Sequence, residues 1–203
     1  MPKNALVKIA AQEIGKPLVE AGFRPRGLSW RLRSDRLDTA VVEIQKSRSA
    51  LPGVELFYVN TGIVPGPWLD RLRVLSGEPA GKASEPSTAD GFFFSRVNPP
   101  DMLDPSAWGG AWAVTDQVSA STVGRDAAAR VSAEIPHLLR LLDRSEMLAE
   151  AERRPDRPQL LRVVLLADLG LTPELDSAIR QLDESDPHVQ RFVEWAYGFA
   201  NTR

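Results

Sequence analysis

At 203 residues the chain can bury a sizeable core in one domain, and 43% hydrophobic with 26% charged residues is ordinary globular composition. A net charge of −2 argues against a dedicated polyanion binder. The absence of cysteine excludes disulfides, thiolate nucleophiles, thiolate zinc sites and iron–sulfur clusters.

The first segment, Ala5–Ala21, sets Leu6, Ile9, Ala10, Ile14 and Leu18 along one helical face, with Gly22 placed to end the helix. Lys8, Glu13, Lys16 and Glu20 interrupt it, so it lacks the apolar core of a signal peptide. No uncharged apolar run approaches the roughly 18 residues of a membrane span. A cytoplasmic protein is the expectation. The turn "FRPRG" precedes "LSWRLR" (28–33), where Leu28, Trp30 and Leu32 alternate with Ser29, Arg31 and Arg33 as in a half-buried strand. Strands are expected over 37–48 and 54–64, joined by short polar or Pro/Gly turns into an antiparallel meander.

"PGPWLDRLRVL" predicts a short helix, 76–90 a loop, 91–97 and 111–115 further strands. From Thr122 the pattern turns helical. Val131, Ile135, Leu138, Leu139, Leu142 and Leu148 form a stripe in which Pro136 marks a kink or break. Residues 158–170 read as a more apolar helix closed by Gly170, and Thr172–Pro173 and Asp186–Pro187 start two more. The last is expected to bury Val189, Phe192, Val193, Ala196 and Phe199. The fold class is therefore α+β: an N-terminal helix, an antiparallel sheet of about four to five strands packed by helices, and an all-helical C-terminal part. The expected division is an α+β domain over 1–150, with 151–203 a helical extension packed on it.

Motifs for catalysis are weak. "SGEPAGKAS" resembles a phosphate loop only loosely, because the glycine spacing is short, Ala83 replaces the hydroxyl and Pro79 removes an amide. His137 and His188 fall in different helices with no metal partner at helical or strand spacing. Asp101, Asp104 and Asp116 lie in loop-like segments where carboxylates serve turns. Of the five tryptophans, Trp30, Trp112 and Trp195 fit core packing, while Trp68 and Trp108 sit in loop-like segments. No catalytic residue, metal or cofactor is assigned.

Charge patterning is the strongest signal. Residues 24–36 hold five arginines and one acid, a net +4, and Lys46 and Arg48 extend the positive surface. Residues 172–187 hold five acids and one arginine, a net −4. The basic strands either form a solvated face or recruit an acidic surface or a phosphate, for which arginine offers a bidentate fork. Nucleic acid is disfavoured by the net charge and by aromatics that do not interleave with the basic residues.

The segments "GFRPRGLSWRL", "VVEIQKSRS" and "LFYVNTGI" together resemble a bacterial family, domain of unknown function 4304 (DUF4304). The matching residues are Gly22, Phe23, Trp30, Gln45, Lys46, Ser47, Phe57, Val59, Asn60 and Gly62, with Trp112 and the helix after Thr122 fitting in order. The resemblance covers roughly residues 5–150. It implies an α+β domain of a bacterial cytoplasm and brings no catalytic residue set. By analogy it suggests protein–protein recognition, including an immunity-like role.

Arg31, Arg33, Gln45, Lys46, Arg48 and Asn60 are the candidate binding residues, with the 76–90 loop as an adjustable rim. The "QKSRS" end of the second strand is expected to form a sheet rim near the first strand's arginines. The leading reading is a non-catalytic binding domain for an acidic protein partner. The alternatives are an enzyme or binder of a small phosphate- or carboxylate-bearing molecule, held by Lys46, Arg48 and Asn60, and a subunit that assembles through its C-terminal helices. The oligomeric state is left open.

Overall fold

A computed structural model of the protein describes residues 5–48, 52–77, 85–100, 110–153, 158–183 and 185–203. Helix α1 (Ala5–Glu20) turns Leu6, Val7, Ala10, Ala11, Ile14 and Leu18 inward. Its C-terminus closes as a Schellman motif. Phe23 N–H bonds the Leu18 carbonyl at 2.9 Å, Gly22 N–H bonds the Val19 carbonyl at 3.0 Å, and Gly22 takes φ +90°. At the other end Glu55 accepts the Val7 N–H at 3.1 Å, a carboxylate where the helix dipole favours one.

The chain then runs as an antiparallel meander: β1 (Arg24–Arg26), β2 (Ser29–Arg33), β3 (Thr39–Lys46) and β4 (Glu55–Val64). Two short strands share the far side of β4, β5 (Ser95–Val97) along residues 59–61 and β6 (Trp112–Val114) along 55–57. The expected "FRPRG" turn thus contains a strand. The reversal is only two residues long, and Gly27 (φ +65°) supplies the positive φ such a turn demands. The strand expected over 91–97 shrinks to Ser95–Val97, because Phe92 N–H turns back onto the Ile63 carbonyl at 3.0 Å.

One sheet face carries Trp30, Val42, Ile44, Phe57, Val59, Ile63 and Trp112 into the main core, beneath α1 and α3 (Gln117–Arg140). Helix α3 begins five residues before the expected Thr122. Asp116 caps Ser119 N–H at 2.8 Å, and the Ser119 hydroxyl accepts Asp116 N–H at 3.0 Å in return. Its buried stripe (Ala120, Gly124, Ala127, Val131, Ile135, Leu138) keeps the 3.6-residue period. Pro136 lies inside it without ending it, since Ile135 and Leu138 hold that turn in the core. A Cβ at Gly124 would stand 2.8 Å from the Ala10 Cα, so the two helix backbones meet there.

The opposite face is covered at one end by α2 (Gly66–Ser76), which packs Leu69 on Val41 and Val64. Next to it runs a strap, residues 85–91, with a single 3-10 turn at Thr88–Asp90. Thr88 donates to Glu43 Oε2 from its hydroxyl (3.0 Å) and its N–H (3.3 Å), and Ser29 Oγ donates to Oε1 (3.3 Å).

Four further helices follow: α4 (Arg144–Glu152), α5 (Pro158–Ala167), α6 (Pro173–Ile179) and α7 (Pro187–Ala200). Asp143, Thr172 and Asp186 cap α4, α6 and α7 through their side chains. Helix α5 faces two ways, giving Leu161 and Leu165 to the main core and Val163, Val164 and Ala167 to a second cluster. In α7 the buried residues are Phe192, Ala196 and Ala200, with Val189, Val193 and Phe199 half-buried. Trp68 joins α2 to this cluster, with ring centroids 5.0 Å from Phe92 and 6.4 Å from Phe192. Arg71 lies 4.9 Å over Trp68 and 5.0 Å over Phe192. Burial and then Arg191 pull its pKa below the ordinary arginine value.

A buried ion network ties α4 and α5 to the β2–β3 turn. Asp38, fully buried, accepts Gly66 N–H at 2.8 Å and grips Arg144 at 2.8 and 3.1 Å. Arg144 also reaches Asp168 at 2.7 Å, and Asp168 meets Arg203 at 3.2 Å. Burial opposes the Arg144 charge, yet the hydrogen bonds it donates to Asp38 and Asp168 prevail and its pKa lies above the usual arginine value. Among the described residues no helix is long and apolar enough to cross a membrane.

Candidate functional site

The β1–β2 hairpin concentrates the positive charge. Register sets Arg24 directly opposite Arg31, so both point to the face away from the main core, with Arg33 two residues further along β2 on that side. Like charges directly opposite one another destabilise a sheet pair. These residues line a recess of about 530 Å³ with Arg26, Leu32 and, as its one carboxylate among the described residues, Glu85 from the strap.

Glu85 serves three guanidinium groups. Arg26 Nη1 is 3.5 Å from Oε1, while Arg31 Nε and Arg33 Nη2 stand 3.8 and 3.9 Å from Oε2. All three separations exceed a charge-assisted hydrogen bond of about 2.7–2.9 Å. Arg31 is 14% exposed and fixed, its Nε donating to the Pro86 carbonyl at 2.7 Å. Arg26 and Arg33 are 72% and 45% exposed, free to move toward a ligand. Among the described residues, four arginines against one carboxylate leave the recess net positive.

The six candidate residues do not share one place. Arg31 and Arg33 line the recess. Gln45 and Asn60 lie on the same sheet face, further along β3 and β4, joined to each other: Asn60 Nδ2 donates to Gln45 Oε1 at 2.9 Å, and Arg96 Nε donates to Asn60 Oδ1 at 3.3 Å. Arg96 stacks 4.1 Å over Tyr58. Lys46 is on the other face, paired with Phe57, and lines a groove beside α1. Arg48 is exposed past the end of β3. The expected rim of "QKSRS" beside the first strand's arginines is therefore corrected: antiparallel register places Arg33 opposite Thr39, at the start of β3, about 23 Å of strand away from Lys46.

Sequence reasoning missed Glu85 and Glu43. Both lie in or under the strap, and no periodicity signals a strap. Arg24 and Arg26 stood in the charge run without a structural role. His137 is half-buried and His188 exposed, and they lie 3.1 and 3.0 Å from an arginine one turn on, Arg140 and Arg191 respectively. Asp116 is a helix cap, whereas Asp101, Asp104 and Trp108 fall outside the described residues. Of the 76–90 loop, Ser76 ends α2, Gly77 caps it, and 78–84 lie outside the described residues. Among the described residues no group of three or more His, Asp or Glu is placed to hold a metal ion.

No curated protein and no solved structure matches the chain. The model of the family described as domain of unknown function (DUF4304) matches residues 14–140, from the middle of α1 through the whole sheet to the end of α3. That span is more than half of the chain and contains every arginine of the recess together with Glu85, and the chain belongs to the DUF4304 family.

Proposed function

We propose that this chain is a non-catalytic binding domain whose arginine recess receives carboxylates of an acidic protein partner. One observation carries the reading: Arg24, Arg26, Arg31 and Arg33 converge on a recess with one resident carboxylate, and that carboxylate is shared at 3.5–3.9 Å. Such crowding is costly within a hairpin unless an added anion neutralises it. Edge-strand addition is a poor alternative mode, because β1 has three residues and Pro25 supplies no N–H. Recognition then falls to the guanidinium forks.

The test is fluorescence anisotropy of a labelled hexaglutamate peptide at low ionic strength. Arg24→Ser/Arg26→Ser/Arg33→Ser leaves the fixed Arg31 in place and is expected to weaken binding at least about ten-fold, from about 0.5–1 kcal/mol per exposed pair. Unchanged binding by this variant would overturn the reading. Binding of ATP or inorganic phosphate in place of the peptide would move the assignment to a small anionic ligand.

A further inference from the structure

A second surface lies on the other side of the same hairpin. A groove of about 740 Å³ runs between α1 and the Gly27–Trp30 segment, with Lys46 at the end of β3 on its wall. The α1 wall is a single helical stripe: Lys8, Ala11, Gln12, Gly15, Lys16 and Val19 are spaced i, i+3, i+4, i+7, i+8 and i+11, and Glu20 completes it. Twelve residues of helix rise about 18 Å, the length of some three turns of a partner helix. Ala11 and Gly15 keep the middle of the stripe low, which allows a second helix axis to approach closely. The accessible floor is apolar, formed by half-buried Leu28 and by Val19, 53% exposed, above the core residue Trp30.

Charge selects the occupant. Lys8, Lys16 and Lys46 are three of the five lysines in a chain with 20 arginines, and among the described residues no arginine lines the groove. Lys8 and Lys46 make no ion pair among the described residues, while Lys16 is held by Glu13, and Glu20 is the sole acid of the lining. Lysine ammonium groups on flexible stems reach carboxylates flanking an apolar stripe without demanding one fixed geometry.

We propose that this groove docks an acidic amphipathic helix of a protein partner, its apolar stripe on Leu28 and Val19 and its carboxylates on Lys8 and Lys46. The groove shares no lining residue with the arginine recess.

The probe is a displayed library of 14-residue helices. Four positions at i, i+3, i+4 and i+7 are drawn from Ala, Leu, Ile, Phe and Met, and the remainder from Glu, Lys and Gln. Selection on the full chain is expected to enrich sequences with excess Glu. The winners should lose at least ten-fold in affinity for Lys8→Glu/Lys46→Glu and stay within two-fold for Arg24→Ser/Arg33→Ser. Selection against the Lys8→Glu/Lys46→Glu protein should instead enrich Lys. The proposal is overturned by an absence of binders, by winners without acidic bias, or by winners indifferent to the lysine reversal. Winners that respond to the arginine variant alone would overturn it too, yet leave the recess reading standing.

Discussion

Arg144→Met is the most demanding test of how the C-terminal helices are attached. The substitution keeps an unbranched stem of similar packing value and deletes the guanidinium. Arg144 is 10% exposed and its partner Asp38 fully buried, so solvent screens the pair little. Three short contacts vanish, at 2.8 and 3.1 Å to Asp38 and 2.7 Å to Asp168, leaving Gly66 N–H as the partner of the Asp38 carboxylate. Breaking a buried pair from one side costs about 3–5 kcal/mol, because the surviving charge has no compensation. Against a domain stability of about 5–15 kcal/mol, that is a large fraction. The double variant Arg144→Met/Asp38→Asn removes the stranded charge and retains an oxygen for Gly66 N–H, so it should recover at least about 1–2 kcal/mol. Arg203→Ala, which also touches Asp168 but is 44% exposed, should cost no more than about 0.5 kcal/mol. Urea unfolding followed by circular dichroism and tryptophan fluorescence measures all three. The reasoning fails if Arg144→Met loses less than about 1 kcal/mol, or if the double variant is no better than the single one.

Gly124→Ala adds a methyl 2.8 Å from the Ala10 Cα and should destabilise by about 1–3 kcal/mol, despite the gain of roughly 1 kcal/mol in helix propensity; a raised melting temperature would refute the backbone contact. Glu85→Gln removes the recess's own carboxylate and should tighten hexaglutamate binding several-fold with little change in melting temperature, whereas weaker binding would mean that Glu85 organises the arginines rather than competing for them. The Ser119 backbone N–H, foremost among several hydrogen bonds, holds the Asp116 carboxyl below the ordinary aspartate pKa. A depressed folded-state pKa gives stability that is present above the unfolded value and lost as pH falls through the folded one. The advantage of the wild type over Asp116→Asn should therefore be present at pH 7 and fade below about pH 4, and a pH-independent difference in melting temperature would contradict it.

The parts of the fold legible in the sequence are those with local causes. Helix α1 shows its apolar period and its terminal glycine, α6 and α7 show a capping residue before proline, and β2 shows alternation. Strand β1 was not legible because three residues reading Arg-Pro-Arg are too few to display a period, and proline speaks against a strand. Nor could the Asp38–Arg144 pair be read, since 106 residues separate its members and neither has a local signature. For the site, alternation alone separates Lys46 from Gln45. What it leaves undetermined is which face of β3 continues which face of β2. Only the pairing of Trp30 with Val42 settles that, and it places Lys46 on the core side with Trp30 and Arg31 on the other.

That parity gives the two basic surfaces different chemistry. The arginines fall where the hairpin face is covered by the strap, and there Arg31 is anchored by a carbonyl, so a planar fork can be held ready for a carboxylate. The lysines fall at the rim of an apolar groove, where their methylene stems extend the floor and their charges stay in water. Exchanging them would forfeit both properties. Lysines at Arg31 and Arg33 would lose bidentate geometry toward carboxylate, and arginines at Lys8 and Lys46 would bring broad planar groups to a rim that must admit a helix. Arg31→Lys/Arg33→Lys should thus weaken hexaglutamate binding at unchanged net charge, whereas Lys8→Arg/Lys46→Arg should reduce affinity for groove-selected helices. If both swaps were neutral, the recognition would depend on net charge alone and the division of labour between the two faces would have no basis.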